Sequence, residues 1–285
     1  MRKVLLATTA LVAITGVTSA NADISISGST EYHYTQPSSG SNLTEMDGNV
    51  TIKASADAGD TGVTYSVVYN QSVGQAAGVV DVEDIYIDIR GDFGRVFLGQ
   101  TDGALDAMDN ITGYNMTIEG HTASATSTSL SITEDAGTVN YISPSINGVT
   151  LYGAVDDTNG KTGYGINYSS SMGTIGYQSL AGGGTEATVV MGQVDVAGIT
   201  VGMASRSSTT SGTKTTSSDV GVNYSVDALA FSAVAQKSSD GAKTTTYGVQ
   251  YTVAPGVYAQ LEQVSDRSAA AADTTSTFMA LGVKF

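Results

Sequence analysis

The sequence predicts an all-β fold, a transmembrane antiparallel β-barrel of about sixteen strands. Three observations predict it. Apolar and polar residues alternate with period two from one end of the chain to the other. The alternating segments number sixteen, an even count that returns both termini to one side of a membrane. The joins between segments alternate between tight turns and longer polar stretches, as in outer-membrane barrels.

Residues 1–22 stand outside that pattern. Arg2 and Lys3 precede an uncharged apolar run over residues 4–17, and Ala20-Asn21-Ala22 forms an A-x-A cleavage site. This reads as a secretory signal peptide, too short to anchor in a bilayer. The barrel then occupies residues 23–285. It keeps all 27 acids and loses two of the 12 bases with the leader, for a formal charge of −17.

In chain order the strands fall at residues 24–34, 47–57, 62–71, 81–90, 94–100, 136–143, 148–155 and 162–170, then at 173–180, 185–196, 198–206, 217–226, 228–236, 243–253, 256–265 and 275–285. In the first, Ile24, Ile26, Gly28, Thr30, Tyr32 and Tyr34 share one face, and Ser25, Ser27, Ser29, Glu31 and His33 the other. In the third, Val63, Tyr65, Val67 and Tyr69 alternate with Thr64, Ser66, Val68 and Asn70. In the fourth, Ile85, Ile87 and Ile89 alternate with Asp84, Tyr86, Asp88 and Arg90. Later strands repeat the pattern, as where Val220, Val222, Tyr224 and Val226 alternate with Gly221, Asn223 and Ser225. In the last, Met279, Leu281, Val283 and Phe285 oppose Ala280, Gly282 and Lys284.

A soluble sandwich also alternates. Here the polar face is Ser, Thr, Gly, Asn and Gln with few long charged side chains, which suits a wet, crowded lumen. The apolar face of Val, Ile, Leu and Tyr suits lipid. Tight joins fall at residues 57–61, 91–93, 144–147, 171–172, 195–198, 226–227 and 254–255; longer ones at 35–46, 72–80, 101–135, 207–216 and 265–274. The join at 101–135 is far too long for a hairpin, and a loop of that size is usually functional.

Composition excludes several functions. No apolar run after the leader is long enough for a transmembrane helix. The acidity leaves nothing to replace phosphate counterions, so nucleic acid is not expected as a partner. Without cysteine there is no disulfide scaffold, thiolate zinc site or thiol nucleophile. The two histidines, His33 and His121, read as a lumen or rim residue and a loop residue, and no positioned base activates a Ser or Thr. An enzyme is therefore not expected. Glu83/Asp84 and Asp156/Asp157 offer oxygen donors of the kind calcium takes, although acidic turns usually face only solvent. A Gly/Ser/Thr-rich adhesin or coat protein shares the composition, but no fixed repeat of solenoid length is visible. The leading expectation is a water-filled channel for passive diffusion, since sixteen strands leave a lumen open.

The run Gly91-Asp92-Phe93-Gly94-Arg95-Val96-Phe97-Leu98-Gly99-Gln100 resembles the G-x-F-G-x-V-x-L-G-R segment of general, trimeric Gram-negative porins. It stands just before the long third loop, and Phe285 at the chain end resembles that family's assembly signal. The resemblance implies an outer-membrane homotrimer, folded by the outer-membrane assembly machinery among lipid and lipopolysaccharide, that passes small hydrophilic solutes and ions. It implies that the third loop folds into the lumen, its acids facing bases on the wall. The loop offers Asp102, Asp106, Asp109, Glu119, Glu134 and Asp135. The wall offers Lys53 and Arg90, which alternation points inward, and Arg95. Gln100 stands where the family has Arg, and alternation aims it outward. With the positive charge lost there and carboxylates in excess, a weakly cation-selective pore is expected.

Overall fold

The computed structural model describes residues 23–58, 63–74, 79–111, 130, 137–267 and 273–285. Residues 1–22, read above as a signal peptide, lie outside them. Sixteen antiparallel strands close into one barrel: β1 (Asp23–Pro37), β2 (Leu43–Asp57), β3 (Thr64–Gly74), β4 (Val79–Gly91), β5 (Gly94–Gln100), β6 (Thr138–Ile142), β7 (Val149–Asp156) and β8 (Lys161–Ser170) form the first half. The second half is β9 (Gly173–Gly182), β10 (Thr185–Val196), β11 (Ile199–Thr210), β12 (Thr213–Val226), β13 (Leu229–Ser238), β14 (Lys243–Ala254), β15 (Val257–Arg267) and β16 (Thr274–Lys284). Every strand pairs with its sequence neighbours, and β1 pairs with β16 to remove the last edge. In hydrocarbon an unpaired backbone group has no water to turn to, so closure is what lets strands span a bilayer.

The burial pattern is inverted relative to a soluble protein. Ile26, Tyr32, Ile87, Val139, Ile166, Val190, Phe231 and Leu281 are exposed on the outside of the wall. Glu31, Asp88, Asn140, Gln178, Asp219 and Glu262 are buried on the inside. Each follows from its place in the two-residue period, so the two-faced reading of the strands holds in space.

Two expectations are corrected. Residues 207–216 are not a long polar loop. β11 and β12 run on through them and meet at Ser211 and Gly212, whose φ angles of 50° and 81° make a two-residue turn. Thr-rich polar strands keep a high β propensity, and this turn matches the strand twist, so the hairpin simply extends. The second correction concerns the inner face, which is not polar all round. A cluster of Phe97, Ala104, Leu105, Met108, Leu130, Ala154, Leu180, Ala187, Val189, Met191 and Ala204 is buried there.

β5 and β6 are the shortest strands, at 7 and 5 residues. The long third connection rises between them and begins with a short 3-10 helix at Asp106–Ile111. Beside its root, Asn70 pairs with Asp84 and Gln71 with Val82, which leaves Glu83 unopposed as a bulge in β4.

Candidate functional site

The described part of the third connection is seated against the inner wall. Ala104, Leu105, Met108 and Leu130 are fully buried there. Their seat is built by small and apolar inward residues. On β8, an added Cβ at Gly165 would stand 2.5 Å from Met108 Sδ and 3.1 Å from a Leu105 methyl, so only glycine leaves the room they fill. On β10, Ala187, Val189 and Met191 supply an apolar inner face. Covering each large side chain contributes about 1.5–3 kcal/mol.

Two inward amides hold the backbone. Asn140 on β6 accepts the Ala104 N–H at 2.8 Å. Gln178 on β9 donates to the Leu105 carbonyl at 2.7 Å and accepts the Leu130 N–H at 2.8 Å. Both amides are fully buried. Sequence reading missed them, since single Asn and Gln residues look alike on any wet strand. The seat did leave a signal: Val189, Val190 and Met191 form a continuous apolar run, the mark of a strand covered on both faces.

Eight strands away around the ring stands β1, whose inner face is of another kind. His33 Nε2 lies 2.6 Å from Glu31 Oε2, both buried. Tyr258 on β15 donates its hydroxyl to the other Glu31 oxygen, lying flat over Gly282 of β16 to reach it. A side chain at Gly282 would collide with that ring. Lys284 Nζ sits 5.3 Å from the same ring's centroid. On β2, Glu45 pairs with His33 and Asp47 with Glu31. Glu262 of β15 is buried on the same inner face. The wall across from the seat is thus rich in carboxylates.

The predicted basic residues lie elsewhere. Arg90 and Arg95 point inward on β4 and β5, beside the tight turn between those strands. Both hold the buried Asp88: Arg90 through two bonds of 3.0 and 2.8 Å, Arg95 at 3.0 Å. Arg95 also stacks 4.2 Å from the Phe97 ring centroid. Their charge is thereby part-neutralised, and both stand on the strands nearest the loop root, not across the lumen from it. Lys53 on β2 pairs with Ser25 and with the buried Val68, which sets it on the inner face.

Among the loop acids, Asp102 is exposed at the root. Its N–H and the Thr101 hydroxyl bond to Asp84 of β4, which also accepts the Asn70 amide at 3.2 Å. Asp106 opens the 3-10 helix, its N–H donating to the Gly103 carbonyl at 3.0 Å. Asp109 belongs to the same helix, but its side chain lies outside the described residues, as do Glu119, His121, Glu134 and Asp135. Gln100 pairs with the outward Ile85 and donates to the Val82 carbonyl at 3.2 Å, so it is a wall residue.

Phe285 exchanges two backbone hydrogen bonds of 3.0 Å with Gly28, and its ring is exposed on the outer face. Of the acidic pairs considered for calcium, Asp156 is buried and accepts the Asn159 N–H and side-chain amide at 3.0 and 2.9 Å. Among the described residues no three His, Asp or Glu gather to hold a metal ion.

The sequence matches the family of Gram-negative porins over residues 7–285. No curated protein matches it. Among solved structures, OmpF of Salmonella typhi in complex with daunomycin superposes with TM-score 0.76 at 12% identity, covering 92% of this chain and 97% of that one. The in-vitro folded OmpT of Vibrio cholerae, in its trimer form, gives TM-score 0.71 at 9% identity, over 93% and 99% of the two chains. The anion-selective porin from Comamonas acidovorans gives 0.70 at 12% identity, over 93% and 100%. Identities this low speak for the fold alone.

Proposed function

Since this chain belongs to the Gram-negative porin family and forms an outer-membrane channel, we propose that it passes small hydrophilic solutes and ions passively, with a weak preference for cations. The observation that carries the preference is the wall at β1, β2 and β15, where Glu31, Glu45, Asp47 and Glu262 line the inner face. Carboxylates lining a pore attract cations and raise their local concentration. Arg90 and Arg95 do not answer them, because both are tied to Asp88, and Lys53 on β2 and Lys284 beside Tyr258 are outnumbered by the four acids. The barrel itself does not choose the sign of selectivity, as the same fold serves an anion-selective porin. Side chains choose it.

Asp102 and Asp106 extend the negative lining at the loop root, and Asp109 and Glu119 belong to the same proposed constriction. Lys53 on β2 is its proposed basic counterpart on the wall, while Arg90 and Arg95, held to Asp88, flank the loop root. The working unit is a homotrimer, by likeness to the trimeric relative. Residues 1–22 act as the export signal, and Phe285 as the mark read by the assembly machinery.

The test is a reversal potential across a planar bilayer in a KCl gradient. Wild-type protein gives discrete conductance steps and a potential displaced toward K⁺. Joint Glu45→Gln and Asp47→Asn substitution moves it toward zero. A wild-type potential on the chloride side would sink the selectivity.

A further inference from the structure

We propose that Gln178 is the positioning residue that sets how far the third connection stands off the wall, and so the free width of the lumen. The proposal rests on the channel reading above. Gln178 lies at the middle of β9 and is fully buried. Its one amide holds two points of the chain 25 residues apart, donating to Leu105 and accepting from Leu130. The chain therefore leaves this spot at Leu105 and is back at it by Leu130. No other side chain among the described residues grips the connection at both ends. Asn140 adds a single bond, at Ala104.

The surroundings explain why one amide has such leverage. Gln178 pairs with Gly165 on one side and with Val189 on the other. Glycine offers it no competing partner, and valine offers no hydrogen bond. The amide sits in an apolar pocket closed by Leu105, Met108 and Leu130. A buried amide without partners there would cost its full desolvation, so the two bonds and the seated chain stabilise each other. Detaching the chain would expose the apolar seat to the lumen as well. Asp84 and Asn140 hold the root at Asp102 and Ala104, and Gln178 holds the chain beyond it, at Leu105 and again at Leu130.

The experiment compares single-channel traces of Gln178→Ala, Gln178→Glu and Gly165→Val with wild type, each checked for the heat-modifiable gel mobility of a folded barrel. Gln178→Ala removes both bonds, and each bond lost raises the detached population about fivefold. Its traces show larger conductance and added current noise. Gly165→Val pushes at Met108 with Gln178 intact and gives the same change by an independent route. Gln178→Glu is noisy at neutral pH and quietens in acid, where its carboxyl regains a proton to donate to Leu105. A merely structural residue would not show that rescue. Folded variants that conduct as quietly and as narrowly as wild type overturn the proposal, while wild-type protein without steps would overturn the channel reading instead. Failure of both Gln178→Ala and Gly165→Val to reach the heat-modifiable form would assign the residue to barrel assembly and overturn it too.

Discussion

Two stretches of the inner wall face each other across the lumen, and they are built on opposite terms. At β8–β10 the inward positions are Gly165, Leu180, Ala187, Val189 and Met191, dry and covered by protein. At β15, β16, β1 and β2 they include Tyr258, Glu262, Glu31, His33, Glu45 and Asp47, with Glu31 bonded to both His33 and Tyr258, beside a small apolar cluster of Val264, Phe278 and Ala280. Both stretches obey the same alternation. The difference lies in what covers them. An inner wall in a barrel this wide is polar by default, since it meets water. At β8–β10 it turns apolar where a segment of the chain is brought back to lie on it.

That contrast can be broken most sharply at Val189, which is fully buried, whereas its neighbour Val190 is 59% exposed on the outer face. Val189→Asp places a carboxylate under the seated chain, and an uncompensated buried charge costs about 3–5 kcal/mol. Expected are a lower urea midpoint for the folded barrel in vesicles and a larger conductance. A carboxylate at Val189 that left both unchanged would mean the seat is wet.

A smaller effect separates the walls by volume. Met108→Ala empties part of the seat and costs about 2–3 kcal/mol, toward the low end for such truncations because the loop can settle. It should raise current noise while leaving the reversal potential alone, because no charge moves. The acid wall answers to the reverse treatment. Tyr258→Phe removes only the hydroxyl that Glu31 accepts, a bond to a charged group worth about 2 kcal/mol. Its signature is a lower unfolding midpoint with quiet single-channel traces. Noise in that variant would show that the two walls are coupled.

The strands were legible from the chain alone. Sixteen segments, the face of each residue in β1, β3 and β4, and the outward aim of Gln100 all follow from a period of two, a local property of an extended backbone. Arg90 and Lys53 were legible as inward for the same reason. Their partners were not. That Arg90 and Arg95 would both turn to Asp88 depends on the register between β4 and β5, and the sequence holds several acids that alternation would serve as well. Glu31 was visible as an inward acid, but its reach to Tyr258 crosses a third strand and depends on Gly282 being bare.

What the sequence determines by itself is a wall: which residues form strands, which face lipid, and that the chain is acidic and has no apolar run after residue 22 long enough for a spanning helix. Those properties need no distant partner, because each is set within a few residues. What tertiary structure decides is the lining. Closure brings β9 opposite β1, and the return of the third connection covers β10 with Leu105, Met108 and Leu130. Whether an inward valine meets water or a buried leucine depends on a contact between residues far apart in the chain. Periodicity carries no information about such contacts. The width and charge of the channel are therefore written in the fold, on a wall that the sequence already spells out.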